Sequence, residues 1–67
     1  MKRNIDKLDA YSKKIIGVDA QCYEAPGGYV YVGIESAFED TTWYLIGDYK
    51  TSEYMLLRAI ERIAEEE

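Results

Sequence analysis

The segment Gly27–Glu35, which reads GGYVYVGIE, constrains the fold of this 67-residue chain more than any other part of its sequence. Tyrosines alternate there with Val30, Val32 and Ile34. Strict alternation predicts a β-strand over residues 29–35, because successive side chains of a strand point to opposite faces of the sheet. One face of this strand is aliphatic, and the other face carries two tyrosines and a glutamate.

A second strand is predicted over residues 18–24, VDAQCYE, where Val18, Ala20 and Cys22 alternate with polar and aromatic residues. The two strands are separated by APGG, and Pro26-Gly27 suits the centre of a type II turn. The pair therefore predicts an antiparallel hairpin.

A third strand is predicted over residues 42–48, TWYLIGD, which are rich in aromatic and β-branched types. Its periodicity fits two registers, since Trp43 and Leu45 compete with Tyr44 and Ile46 for the core face. We expect Trp43 and Leu45 to point inward, because a tryptophan supplies the larger apolar area to a small core.

Helices are predicted at both ends of the chain, over residues 4–16 and 52–65. Asn4 suits the N-cap of the first helix and Gly17 suits its end, while Thr51 or Ser52 suits the N-cap of the second. The second helix carries an apolar stripe made of Leu56, Leu57, Ile60, Ile63 and Ala64. The prediction is a single α+β domain of order α-β-β-β-α, with both helices on one face of a three-stranded antiparallel sheet.

The charge is negative overall and unevenly distributed, with a net charge of −5. Residues 1–17 carry five basic and two acidic side chains, residues 18–53 carry seven acids against one lysine, and residues 54–67 carry four acids and two arginines. The acidic middle repels phosphate backbones and attracts basic partners.

The face of the sheet turned away from the helices is expected to carry tyrosines surrounded by carboxylates. Cross-strand aromatic pairing, which stabilises sheets by about 0.2–1 kcal/mol per pair, is a purely structural explanation of the tyrosines. The functional explanation is a binding face, since tyrosine offers a large contact area with few rotatable bonds. The candidate partner-binding residues are Tyr23, Tyr29, Tyr31, Glu35, Glu39, Asp40, Tyr44 and Asp48.

Enzymatic activity is not expected from this composition. The chain has no histidine, which excludes Ser-His and Cys-His nucleophile systems and histidine-containing metal sites. The single cysteine, Cys22, falls on the predicted inner face, as expected of a small buried hydrophobe. Glu39 and Asp40 are adjacent acids, which is a weak signal for a cation site, and we expect no metal and no cofactor.

Three functions follow from these features. The first is a protein-binding inhibitor or adaptor that docks on the basic, nucleic-acid-binding surface of a larger protein. The most specific form of this hypothesis is that the chain mimics DNA. In size, acidic charge and architecture the chain resembles small phage-encoded inhibitors such as anti-CRISPR proteins. The second is a homodimer or larger homo-oligomer sealed by the tyrosine face.

The third function is a nucleic-acid-binding domain that stacks bases on sheet aromatics, as the arrangement of three strands and a C-terminal helix loosely resembles the DNA-binding arms of phage integrases. Only Lys50 is basic within residues 18–53, which argues against direct binding of nucleic acid. No apolar run has the length of a signal peptide or a membrane span, so we expect a cytoplasmic protein without membrane contact.

Overall fold

The computed structural model describes residues 4–38 and 40–66. In it, α1 is Ile5–Ile15, β1 is Ala20–Glu24, β2 is Val30–Glu35, β3 is Thr41–Gly47 and α2 is Glu53–Glu66. The three strands form one antiparallel sheet in the order β1-β2-β3. The predicted α+β architecture of order α-β-β-β-α is confirmed.

Both helices begin at a predicted N-cap. The Asn4 side chain accepts a hydrogen bond from the Lys7 backbone N–H at 3.1 Å. The Ser52 hydroxyl accepts one from the Met55 backbone N–H at 3.3 Å. These bonds satisfy backbone donors that the first turn of a helix leaves without an intrahelical partner.

The hairpin turn between β1 and β2 is also as predicted. The Gly28 backbone N–H donates to the Ala25 carbonyl at 3.1 Å, which closes the turn. Gly27 has φ of +90°, the left-handed conformation that the third residue of a type II turn requires.

Val18 corrects the prediction for the first strand, since it is 84% exposed rather than part of the core. The Ala20 backbone N–H donates to the Gly17 carbonyl at 3.0 Å, so the chain turns over residues 17–20. The strand therefore begins at Ala20, and only Ala20 and Cys22 of the predicted inner residues are buried.

The register of β3 is the larger correction, because Trp43 and Leu45 do not point inward. Tyr44 pairs with the buried Val32, and both Tyr44 and Ile46 pack against the core. Trp43 pairs with Gly33 on the opposite face. Tyr31 pairs with Leu45 but Val30 with Gly47, so the strand carries one extra residue, a β-bulge, near its end.

The core lies between the sheet and the two helices. Leu8 of α1 and Leu56 and Ile60 of α2 are fully buried against Val30 and Val32 of β2. We call this side of the sheet the inner face and the opposite side the outer face. Neither helix in the described part of the chain is long and apolar enough to cross a membrane.

Candidate functional site: the outer face of the sheet

Each strand contributes one aromatic side chain to a cluster at the centre of the outer face. We call Tyr23, Tyr31 and Trp43 the aromatic cluster. The Trp43 ring centroid lies 6.3 Å from that of Tyr23 and 6.5 Å from that of Tyr31, with interplanar angles of 63° and 89°. Both are edge-to-face contacts, a favourable geometry for aromatic pairs. The three side chains line an open hollow of about 350 Å³.

The aromatic cluster remains accessible to solvent although its members contact one another. Tyr23 is 50% exposed, Trp43 is 49% exposed, and the neighbouring Leu45 is 59% exposed. Cross-strand pairing explains why the rings touch, but it does not explain why a tryptophan and a leucine occupy the face that the core does not use. Exposed large apolar side chains grouped in one patch are typical of an interaction site.

Gly33 determines how the Trp43 ring lies. The ring covers the backbone of Gly33 on the neighbouring strand, and a Cβ at position 33 would come within 2.7 Å of the ring atom Cζ3. Gly33 is consequently buried although it has no side chain. Packing of an aromatic ring over a strand glycine stabilises the sheet and fixes the ring against it.

The charge of the outer face is negative. Glu35 follows Gly33 by two residues on β2 and therefore lies on the same face, where it is exposed. None of the residues of β1, β2 or β3 is a lysine or arginine. Lys7 and Lys13 lie on α1; Lys7 pairs with Glu53 of α2 at 3.4 Å, and Lys13 pairs with Asp9 of α1 at 3.0 Å. The outer face therefore presents an apolar centre with the Glu35 carboxylate on the same face.

The structure brings together two of the predicted tyrosines. Tyr23 and Tyr31 both belong to the aromatic cluster. Tyr29 precedes β2 and lies beside Gly27 in the hairpin turn. Tyr44 is the clear correction, because it packs against the core on the inner face.

The predicted acids do not form a single group around the cluster. Glu35 lies on the outer face, and Asp40 is exposed in the connection before β3. Asp48 lies after β3, where its carboxylate accepts hydrogen bonds from the Lys50 backbone N–H at 2.8 Å and the Thr51 hydroxyl at 3.3 Å. Asp48 therefore holds the turn into α2. Glu39 lies outside the described residues.

Trp43 and Leu45 are the outer-face residues that the sequence analysis placed inward. The signal that identifies them is the glycine at position 33, since a small residue opposite a tryptophan leaves room for the ring on that face. This signal becomes usable only when the pairing of β2 with β3 is known.

One carboxylate on the helical side has a perturbed pKa. The Cys22 backbone N–H donates to Asp9 Oδ1 at 2.9 Å, and this bond lowers the pKa of Asp9 below 3.8. Lys13 lowers the pKa further, whereas partial burial opposes the shift. The same hydrogen bond fixes α1 to the edge of β1 that does not pair with β2.

Comparison of the chain with protein-family models, with curated proteins and with solved structures finds no match.

Proposed function

We propose that this chain is a non-enzymatic protein-binding module that docks through its outer face on a larger protein with a locally basic surface. The main support for the proposal is the aromatic cluster, in which rings from three strands surround one open hollow and those of Tyr23 and Trp43 are half-exposed. Tryptophan and tyrosine are the residues that most often dominate the binding energy of protein interfaces.

The charge supports a protein partner rather than a nucleic acid. Nucleic-acid binding requires cations that replace the counterions of the phosphates, and the three strands supply none. A net charge of −5 favours encounter with a basic surface instead. The charge favours an inhibitor that occupies the nucleic-acid-binding surface of an enzyme. In the most specific form of this proposal, the inhibitor mimics DNA.

A pull-down with matched variants tests the proposal. Tyr23→Ala removes an outer-face ring that is 50% exposed, and Tyr54→Ala removes one on α2 that is 67% exposed, so neither empties the core. The tagged wild type and both variants are incubated with bacterial lysate, and the bound proteins are quantified by mass spectrometry. We expect a protein that the wild type and Tyr54→Ala retain and that Tyr23→Ala loses about tenfold, the effect of roughly 1.4 kcal/mol.

Two further conditions identify the class of partner. Retention should weaken as salt is added, because screening reduces attraction between an acidic and a basic surface. Excess DNA should displace the partner if the module covers a nucleic-acid-binding surface. Equal retention by both folded variants would contradict the proposal. Recovery of the chain alone, as an oligomer that Tyr23→Ala disrupts, would favour self-association through the outer face.

A further inference from the structure

The sheet has two edges, formed by β1 and β3, and α1 covers only the edge of β1. The hydrogen bonds from the Glu35 N–H to the Asp19 carbonyl and from the Ala25 N–H to the Tyr29 carbonyl lie at the two ends of the β1–β2 ladder. Antiparallel hydrogen bonding alternates along a strand, so the intervening even-numbered residues of β1 turn their backbone groups away from β2.

Side chains of α1 satisfy two of these outward groups of β1. The Cys22 N–H donates to Asp9 Oδ1 at 2.9 Å. The Ala20 carbonyl accepts a hydrogen bond from Lys13 Nζ at 3.0 Å. The two side chains also pair with each other at 3.0 Å. This edge is therefore occupied by a charged helix, which is one way in which proteins protect a sheet edge from additional strands.

The edge formed by β3 has no such cover. The Ser36 N–H donates to the Asp40 carbonyl at 2.7 Å, so alternation turns the odd-numbered residues of β3 away from β2. These residues are Thr41, Trp43 and Leu45. Within residues 4–38 and 40–66, no hydrogen bond reaches their outward backbone groups.

The sequence of β3 also lacks the features that usually prevent strand addition. Its seven residues, TTWYLIG, include no charged residue and no proline. Such an uncharged strand of β-branched and aromatic residues is a template for pairing with another strand. The one irregularity, the β-bulge, lies beyond Leu45 and leaves the three outward residues in regular alternation.

We propose that two copies of this chain pair through β3, antiparallel about a two-fold axis at Trp43, to form a continuous six-stranded sheet. In this register Thr41 faces Leu45 of the second copy, and Trp43 faces its own equivalent. All outward N–H and carbonyl groups of the three residues then form hydrogen bonds across the axis. The strand is thus complementary to itself, as a two-fold interface requires.

Charge and space both favour a second copy at this edge. Because β3 is uncharged, pairing it with itself brings no like charges into direct opposition. The Trp43 ring lies over Gly33 of β2, which is on the side away from the edge, so it leaves the edge open. Pairing would also place two aromatic clusters on one continuous outer face. Pairing of the β3 edges does not depend on what the outer face binds.

The first test is the mass of the wild-type chain in solution, together with backbone amide exchange. Sedimentation equilibrium from about 1 µM to about 1 mM, a range typical of weak assemblies, should show a monomer of 7.7 kDa passing into a dimer. The Trp43 and Leu45 amides should exchange rapidly in the monomer and at least about tenfold more slowly in the dimer. Added salt should strengthen the dimer, because it screens repulsion between two chains of charge −5.

The second test uses two substitutions at one position. Leu45→Ala and Leu45→Pro both remove the exposed side chain, but only proline removes the outward N–H and blocks the edge. We expect Leu45→Pro to raise the dimer dissociation constant at least about tenfold relative to Leu45→Ala.

Equal dissociation constants for two folded variants would overturn the proposal. A monomer throughout the concentration range, or a dimer in which the Trp43 and Leu45 amides still exchange rapidly, would overturn it as well. If Leu45→Pro does not fold, the amide exchange of the wild type decides. Loss of partner binding in Tyr23→Ala with an unchanged dimer would separate this edge from the proposed function of the face.

Discussion

At the scale of single residues, the outer face depends on the absence of a side chain at Gly33. A Cβ there would lie 2.7 Å from Trp43 Cζ3, so Gly33→Ala must displace the ring. We expect the substitution to lower the free energy of unfolding by about 1–3 kcal/mol, as overpacking does, and to alter the tryptophan near-ultraviolet circular dichroism. Urea denaturation provides the free energy.

A double-mutant cycle separates the ring contact from the backbone effect of this substitution. In a Trp43→Ala background the collision is removed, so Gly33→Ala should become neutral or stabilise by about 0.4–1 kcal/mol. An equal loss of stability in both backgrounds would show that the glycine serves the strand backbone rather than the ring.

Asp9 makes stability depend on pH. Because folding lowers the pKa of Asp9 below 3.8, the folded chain binds a proton at this site less readily than the unfolded chain. Its contribution to stability is therefore present above about pH 4 and is lost as the pH falls through the lowered pKa. Asp9→Asn keeps an oxygen acceptor for the Cys22 N–H but does not titrate.

Urea denaturation at a series of pH values tests this contribution. The free energy of unfolding of the wild type should fall more steeply below about pH 4 than that of Asp9→Asn. Parallel curves for the two proteins would mean that the bond to the Cys22 N–H does not depend on the charge of the carboxylate.

At the scale of elements, the orientation of β3 determines which of its side chains lie on the outer face. Tyr44 packs against the core, whereas the adjacent Leu45 is 59% exposed. We expect Tyr44→Ala to lower the free energy of unfolding by about 2 kcal/mol or more and Leu45→Ala by less than about 1 kcal/mol. Thermal or urea denaturation of the two variants tests the register, and the reverse order would restore the orientation predicted from sequence.

Local sequence signals predicted most elements of this fold. The alternation in β2, the Pro26-Gly27 turn and the caps at Asn4 and Ser52 each depend on neighbouring residues, and each is confirmed. These features account for the order α-β-β-β-α and for the buried Cys22.

The orientation of β3 could not be predicted in the same way. Both of its faces are apolar, so the choice between them depends on the fit of Trp43 over Gly33, a contact between different strands. The outward orientation of Tyr23 and Tyr31 could be predicted because apolar residues alternate clearly along β1 and β2. Both tyrosines lie in the aromatic cluster. The ambiguous periodicity of β3 is why the sequence predicts Tyr44 on the outer face and Trp43 in the core, the reverse of their positions in the structure.

At the scale of the whole molecule, the net charge of −5 should affect how fast a basic partner associates. Glu35 is an exposed carboxylate on the outer face, so Glu35→Lys should lower the association rate with the captured partner by up to about tenfold at low salt and leave the dissociation rate nearly unchanged. Glu66→Lys changes the net charge equally at the end of α2 and is the matched control. Stopped-flow binding that gives equal rates for both variants would exclude local steering by the face.

The most direct test of the binding face is hydroxyl-radical footprinting of the chain with and without its captured partner. The aromatic side chains are both the reactive groups and the internal controls. If the outer face is the binding surface, oxidation of Tyr23 and Trp43 should fall in the complex, while oxidation of Tyr54 on α2, which is 67% exposed, should not change. Protection of Tyr54 together with unchanged oxidation of Trp43 would contradict the account and place the binding surface on the helices.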